Sequence, residues 1–140
     1  MPESYAGRLL DHVHLRVSDL EASRRLYAAA LGALGREVKG GEDYYFSDEL
    51  WVTDDGEPTA RAHLAFQAED RAAVQRFHEA AVAAGGRDNG APGERDYHPG
   101  YYAAYVLDAD GNNLEAVYHG PARRSAEAVV FSWDDPAEAQ

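Results

Sequence analysis

The feature that most constrains the fold of this chain is an internal repeat. At an offset of 51 residues the chain matches itself in these places: His12 with His63, Asp19 with Asp70, and Gly35-Arg36 with Gly86-Arg87. In each copy an alternating, strand-like segment precedes an apolar stripe at helical spacing, and the Gly-Arg pair ends the helix. Short strand-like segments follow. The repeat therefore predicts an α+β fold of two βαβββ modules, whose half-sheets pair around a central cleft.

The expected boundaries follow from the same patterns. We expect a single domain over 1–140, with a first module at about 8–56, a second at about 59–120, and a tail at 121–140. A capping box of Ser18 and Glu21 is expected to open the first helix. The second helix is expected over 70–84, with Val82 in its apolar stripe. The remaining predicted segments are strands at 9–17, 36–39, 44–47, 50–53, 60–68, 101–107 and 113–118, a polar loop at 88–99, and a strand or docked segment at 128–133.

Composition excludes several classes of function. The 140 residues carry 25 acidic and 13 basic side chains, a net charge of −12, so nucleic acid is not expected as a partner. No apolar run reaches the roughly 20 residues of a membrane-spanning helix, and the chain begins without a signal-peptide pattern. The absence of cysteine excludes disulfides, thiolate metal sites and a cysteine nucleophile. We expect a cytoplasmic protein that binds a small molecule and no membrane.

Three side chains are candidates for one metal site. His12 and His63 occupy equivalent places in the two modules, on the strand face opposite the residues that pack on a helix. Glu115 lies in the middle of a predicted strand, where a carboxylate is costly unless a cationic group meets it. Two imidazoles and a carboxylate form the facial set used by Fe²⁺ and Mn²⁺, and tolerated by Zn²⁺ or Ni²⁺. The identity of the metal stays open.

Three segments carry a resemblance to a known family. They are Asp-His-Val-His-Leu-Arg-Val-Ser-Asp-Leu (11–20), Ala-His-Leu-Ala-Phe (62–66) and Asp-Ala-Asp-Gly-Asn-Asn-Leu-Glu-Ala-Val (108–117). In this order and spacing the chain resembles the vicinal oxygen chelate superfamily, which includes glyoxalase I, bleomycin-resistance proteins, fosfomycin-resistance enzymes and extradiol dioxygenases. The resemblance covers 9–119. It implies a metal in the cleft, with His12, His63 and Glu115 as ligands, and substrates that chelate the metal through neighbouring oxygens.

The catalytic candidates come from comparing the branches of that family. Extradiol dioxygenases carry a tyrosine ten residues before the glutamate ligand, and Tyr105 stands at that place. The histidine base of those enzymes has no direct counterpart, which leaves His14 and His98 as substitutes. Glyoxalase I carries a fourth, glutamate ligand, which Leu50-Trp51-Val52 does not supply, although Glu49 is nearby. The fosfomycin enzymes surround their anionic substrate with basic groups, which this acidic chain lacks.

Further candidates for substrate contact lie before a predicted strand. The segment 94–102 concentrates aromatic and titratable groups, and Arg95, Tyr97 and Tyr101 are its expected substrate-binding residues. His119 shares the alternation of Glu115 but lies near the strand end, and it is not expected to be a ligand. Trp51 is expected in the core or an interface.

The sequence supports two functions. The first is a metal-dependent enzyme, glyoxalase-like or dioxygenase-like, that acts on a small substrate with adjacent oxygens. The alternative is a non-catalytic binder of the bleomycin-resistance type, for which acidic charge and aromatic walls would suit a cationic aromatic molecule. A homodimer is expected for either, and the two modules can pair within one chain or be exchanged between two.

Overall fold

The architecture repeats one module twice. The structure is a computed structural model that describes residues 3–6, 8–121 and 129–132. Its elements are β1 (Glu3–Ala6), β2 (Val13–Arg16), α1 (Leu20–Ala33), β3 (Lys39–Gly40), β4 (Tyr44–Ser47), β5 (Leu50–Thr53), β6 (His63–Gln67), α2 (Arg71–Ala83), β7 (Arg87–Glu94), β8 (Tyr102–Leu107), β9 (Asn113–Tyr118) and β10 (Val129–Ser132). The four-stranded sheets have the orders β2-β5-β4-β3 and β6-β9-β8-β7. The predicted α+β fold of two βαβββ modules is confirmed.

In each module the first strand runs parallel to the last, and the remaining neighbours are antiparallel. The helix supplies the crossover that a parallel pair needs. Strands β1 and β10 form a separate antiparallel pair that brings the two ends of the described chain together. Part of the predicted segment at 128–133 is therefore a strand, and residues 128 and 133 lie outside the described residues.

The helices begin at equivalent aspartates. Asp19 is the N-cap of α1, and its carboxylate accepts a hydrogen bond from the Ala22 backbone N–H at 3.0 Å. Asp70 does the same for α2, accepting from the Ala73 N–H at 2.7 Å. The prediction that Ser18 caps α1 is wrong, because a cap must lie within reach of the first free N–H groups and Asp19 is one residue closer.

The glycine that ends α2 is not the one that the sequence repeat aligned with Gly35. Gly35 follows α1 with φ of 81°, and Gly85 follows α2 with φ of 109°. The offset between modules is therefore 51 residues at the helix starts and 50 at their ends. Gly86 is required for a different reason: a Cβ there would lie 2.4 Å from a side-chain carbon of Val106 and 2.9 Å from the Ala81 carbonyl oxygen. It lets the chain pass close between α2 and β8.

Three other local predictions need correction. The predicted loop at 88–99 begins as strand β7, which pairs with β8 through register shifts next to Gly90 and Gly93. This edge strand consists largely of polar residues and glycines, so it lacks the apolar alternation from which strands were predicted. The strand predicted at 36–39 is only β3, two residues long. Val82 is 39% exposed, because the buried face of α2 is completed by Phe77 and Ala81.

One core joins the two modules. α1 and α2 pack against each other and against one face of each sheet. Leu15 and Val52 contribute from the first sheet and Val106 from the second, all at 1% exposure or less. The Tyr27 hydroxyl on α1 donates to Asp108 Oδ2 in the turn between β8 and β9 at 2.7 Å.

The two sheets stay separate within one chain. β2 pairs with β5 and β6 pairs with β9, and no strand pairing among the described residues joins the first sheet to the second. Each sheet therefore has one face packed on its helix and an opposite face, called here the open face, that the other module does not cover. The expected pairing of half-sheets around one cleft is not formed inside the described part of a single chain. No described helix is long and apolar enough to cross a membrane.

Candidate active site

The centre of the open face of the second sheet is an acid–imidazole pair. Glu115 on β9 is 1% exposed, and its Oε1 accepts a hydrogen bond from His63 Nε2 on β6 at 2.7 Å. The register places Glu115 opposite Ala65, so the contact is a diagonal one across the two parallel strands. A carboxylate removed from water in this way needs strong polar partners. His63, with 55% of its side chain exposed, gives the pair access to solvent.

Two tyrosines complete the surroundings of this carboxylate. The Tyr101 hydroxyl donates to Glu115 Oε2, and Tyr105 lies directly opposite Glu115 on the neighbouring strand β8. Burial first, and then the bond to Glu115, raises the pKa of Tyr101 above its usual value. Burial and the nearby Glu115 charge also raise the pKa of Tyr105. Both phenols therefore stay protonated at neutral pH and act as hydrogen-bond donors.

The predicted substrate-binding residues lie beside these tyrosines. The Arg95 guanidinium lies over the Tyr105 ring, 5.3 Å from its centroid, and donates to the Ala91 carbonyl oxygen at 2.7 Å. Tyr97 is 72% exposed, with its ring centroid 4.9 Å from that of Tyr101. Gly90 permits this packing, because a Cβ there would come within 2.7 Å of the Tyr105 ring.

A pair of histidines extends the same face. His98 Nε2 and His119 Nδ1 are 2.9 Å apart, and their rings are nearly parallel. Both rings meet Tyr101 edge to face, with centroid distances of 5.4 and 5.3 Å. The sequence singled out His98 and set His119 aside, because position 119 follows the end of β9. The only signal for His119 was its alternation with Glu115.

The remaining predicted ligand lies on the other module. His12 comes one residue before β2, has 69% of its side chain exposed, and its Nδ1 donates to the Asp11 carboxylate at 2.8 Å. It makes no recorded contact with His63 or Glu115, and no group of three or more His, Asp or Glu side chains among the described residues could hold a metal. One chain thus brings together two of the three predicted ligands.

His14 lies on the open face of the first sheet. Its Nε2 donates to Thr53 Oγ1 at 2.8 Å, and Thr53 in turn donates to Asp55 at 2.6 Å. The hydrogen bond from Thr53 lowers the pKa of the Asp55 carboxyl, and a second bond from Arg16 lowers it further. The network holds the His14 ring through Nε2, and none of the described residues hydrogen-bonds to its Nδ1.

Three aromatic rings lie together on the same open face. Trp51 on β5 stacks on Tyr44 and Phe46 of β4, with centroid distances of 4.7 and 5.6 Å and nearly parallel planes. His14 lies opposite Trp51 in the register of β2 and β5. Trp51 is 39% exposed and is not a core residue. We call Tyr44, Phe46 and Trp51 the aromatic cluster.

The family follows from a comparison of the whole chain. A sequence model of the Glyoxalase/Bleomycin resistance protein/Dioxygenase superfamily matches residues 9–116. The chain belongs to this superfamily. The resemblance found in the sequence is therefore confirmed at the level of the superfamily. A search of curated proteins found no significant match.

Solved structures of the superfamily share the fold. A glyoxalase/bleomycin resistance protein from Albidiferax ferrireducens is 33% identical, with a TM-score of 0.70, and the match covers 78% of this chain and 98% of that one. A glyoxalase-related enzyme from Fulvimarina pelagi is 22% identical, with a TM-score of 0.66, and the match covers 89% and 98%. A lactoylglutathione lyase from Agrobacterium tumefaciens is 19% identical, with a TM-score of 0.58, and the match covers 79% and 92%.

Members of the superfamily commonly use a divalent metal, and two donors suited to such an ion lie together here. His63 Nε2 and Glu115 Oε1 are 2.7 Å apart, so both can reach an ion at the usual distances of about 2.0–2.2 Å. Tyr101 holds the second carboxylate oxygen, as outer hydrogen-bond donors do for ligands in metal sites. These two donors leave several coordination positions for a third ligand, water and substrate.

Proposed function

We propose that this protein is a metal-dependent enzyme of the superfamily, glyoxalase-like or dioxygenase-like, that acts on a small substrate with adjacent oxygens. The observation that carries the proposal is the contact between Glu115 and His63. A buried carboxylate and a half-exposed imidazole converge on one point of an otherwise open sheet face. A purely structural role does not need an exposed histidine there, whereas a metal does need an entry path and free positions.

The chain contributes binding and proton handling around that point. A divalent ion held by His63, Glu115 and His12 would act as a Lewis acid toward two neighbouring substrate oxygens. Tyr101 keeps the carboxylate of Glu115 in place, and Tyr105 presents a protonated phenol beside it. Arg95 lies over the Tyr105 ring, where its charge can meet an anionic part of the substrate.

We infer that a second copy of the chain supplies the missing ligand. β2 and β6 each leave one edge unpaired among the described strands, and such edges are sites of association. The segment before His12 also exposes Leu9 and Leu10, at 91% and 53%. A homodimer in which the first module of one protomer meets the second module of its partner would cover these groups. It would also bring His12 and His14 to the other protomer's His63 and Glu115.

The test is metal content by elemental analysis. Protein purified without chelator and exposed in turn to excess Fe²⁺, Mn²⁺, Ni²⁺ and Zn²⁺ is expected to retain one ion per site after desalting. His63→Ala and Glu115→Gln are expected to lose it. His78→Ala is the matched control, because His78 also contacts a carboxylate, Asp88 at 2.8 Å, but on the far side of the module. Wild-type protein that retains none of the four metals would overturn the proposal.

The aromatic cluster favours a second candidate, a binder of the bleomycin-resistance type. Stacked, partly exposed rings offer a surface for a flat cationic ligand, and the acidic chain favours positive charge. Trp51 can report on it directly in a Trp133→Phe background, since the chain has two tryptophans. Saturable quenching of Trp51 fluorescence by bleomycin in metal-free protein would support this candidate. Unchanged fluorescence would count against it.

A further inference from the structure

The hydrogen bonds around His98 fix the tautomers of two histidines. His98 Nδ1 lies 2.9 Å from the Pro99 carbonyl oxygen, which can only accept, so Nδ1 carries a proton. In the neutral ring, His98 Nε2 is then an acceptor. His119 Nδ1, at 2.9 Å, must therefore donate to it. The neutral His119 ring is left with its lone pair on Nε2, for which the described residues provide no partner.

This arrangement suits a base. When His119 Nε2 takes up a proton, the hydrogen bond to His98 remains intact, because His119 still donates through Nδ1. The positive charge is stabilised by the lone pair of His98 Nε2, and the Nδ1–H of the same ring donates to the Pro99 carbonyl oxygen. A third group orients an imidazole in the same way in other acid–base sites. The pair accepts one proton without losing a contact.

His119 lies next to the carboxylate site, with Tyr101 between them. Tyr101 donates to Glu115 through its hydroxyl, and its ring is nearly perpendicular to that of His119, so one side chain separates the carboxylate from the imidazole. His119 is exposed, which lets its proton exchange with solvent. The sequence offered only His14 and His98 as substitutes for the dioxygenase base, and His119 is a further candidate.

We propose that His119 Nε2 is the general base of this site and that His98 is its positioning residue. This inference rests on the proposed metal-dependent function. For a substrate with a carbonyl next to a C–H, that C–H bond breaks and the proton moves to His119 Nε2. The electron pair becomes the C=C bond of an enolate, with the charge on the former carbonyl oxygen. Return of a proton from His119 completes the exchange, and no oxidant or reductant is consumed.

The first measurement needs neither metal nor substrate. ¹⁵N–¹H correlation spectra of the imidazoles in metal-free protein, recorded about two units above the ordinary histidine pKa of ~6.5, report the tautomer of each ring. Both His98 and His119 are expected as Nδ1–H forms, with assignments from His98→Gln and His119→Gln. A His119 ring protonated at Nε2 would overturn the proposal.

The second measurement follows deuterium exchange into hydroxyacetone, whose adjacent oxygens can chelate a metal. In D₂O the metal-loaded wild type is expected to exchange its CH protons, and His119→Gln is expected to lose about 100-fold in rate, the usual order for a lost general base, at unchanged metal content. His98→Phe should lose rate as well. His98→Gln should recover part of the rate lost in His98→Phe, because the amide oxygen can still accept a hydrogen bond from His119.

A wild-type exchange rate in His119→Gln would refute the role of His119 as the base without contradicting the proposed metal-dependent enzyme. Wild type that binds no metal refutes the proposed function itself, which elemental analysis detects separately.

Discussion

Glu115 and His63 meet on a diagonal: their strands are parallel neighbours, the register sets Glu115 opposite Ala65, and the imidazole nevertheless reaches the carboxylate at 2.7 Å. Residues two positions apart on one strand share a face, so Ala65 leaves room beneath the contact. A larger side chain at 65 would stand between the two groups. The small residue is therefore part of what allows the pair to form.

A subunit-mixing experiment tests whether the site is shared between two chains. His12→Ala and Glu115→Ala chains, each expected to retain no metal alone, are coexpressed with different tags. In a dimer with exchanged modules, one of the two sites in each mixed dimer keeps all three ligands. Random assembly should then restore about a quarter of the wild-type metal content, because half of the dimers are mixed.

A failure to restore metal content on coexpression would argue against a site shared between two chains. If the three ligands come from one chain, coexpression restores no metal, since no chain has a complete set. Size-exclusion chromatography with light scattering supplies the independent check that wild type and both variants are dimers. A monomeric wild type that retains metal contradicts the shared site.

Removing the Tyr27 hydroxyl should weaken the contact between α1 of the first module and the turn between β8 and β9 of the second. Tyr27→Phe deletes the donor to Asp108, which is 7% exposed, and leaves the buried carboxylate with its remaining partners around Asn112. The expected loss in the free energy of unfolding is about 1–3 kcal/mol, measured by urea denaturation. Tyr118→Phe is a suitable control, because no hydrogen bond of its hydroxyl to the described residues is recorded. An equal effect of both changes would argue against the inter-module bond.

Two glycines in or next to helices should respond in opposite directions to alanine. Gly86→Ala places a Cβ against Val106 and the Ala81 carbonyl, and overpacking of this kind costs about 1–3 kcal/mol. Gly32→Ala adds a methyl group where nothing lies within 4 Å, inside α1, and should stabilise by about 0.5–1 kcal/mol. Thermal denaturation measures both. A stabilised Gly86→Ala variant would contradict the close approach of α2 and β8.

The raised pKa of Tyr101 predicts a sensitivity to alkali. A phenol whose pKa is higher in the folded than in the unfolded chain stabilises the fold below the unfolded value of ~10, and that contribution disappears as pH rises toward the folded value. Tyr101→Phe should therefore make the unfolding free energy fall less steeply above that pH. Phenolate absorbance should show one fewer late-titrating tyrosine.

The internal repeat was enough to predict the modules and their order. Local signals can be recognised in a single sequence. They include the apolar spacing in α1 and α2, the turn at 108–111 and the equivalent aspartates. The same reasoning misplaced the cap of α1 and missed β7. Ser18 and Asp19 offer equivalent capping chemistry, and only the geometry of the backbone selects between them. The polar, glycine-containing sequence of β7 has no apolar alternation to mark it as a strand.

Motif spacing and side-chain alternation likewise marked His63, Glu115, Tyr101 and Tyr105 as candidate site residues, because the strands that carry them are regular. They could not show that Tyr101 donates to Glu115 or that His98 pairs with His119, since these contacts depend on how residues 95–101 return to the sheet. Nor could they show that the open faces of the two sheets stay apart in one chain. Sequence periodicity sets which side of a strand a residue occupies, whereas the packing of α1 on α2 decides which sheet faces which.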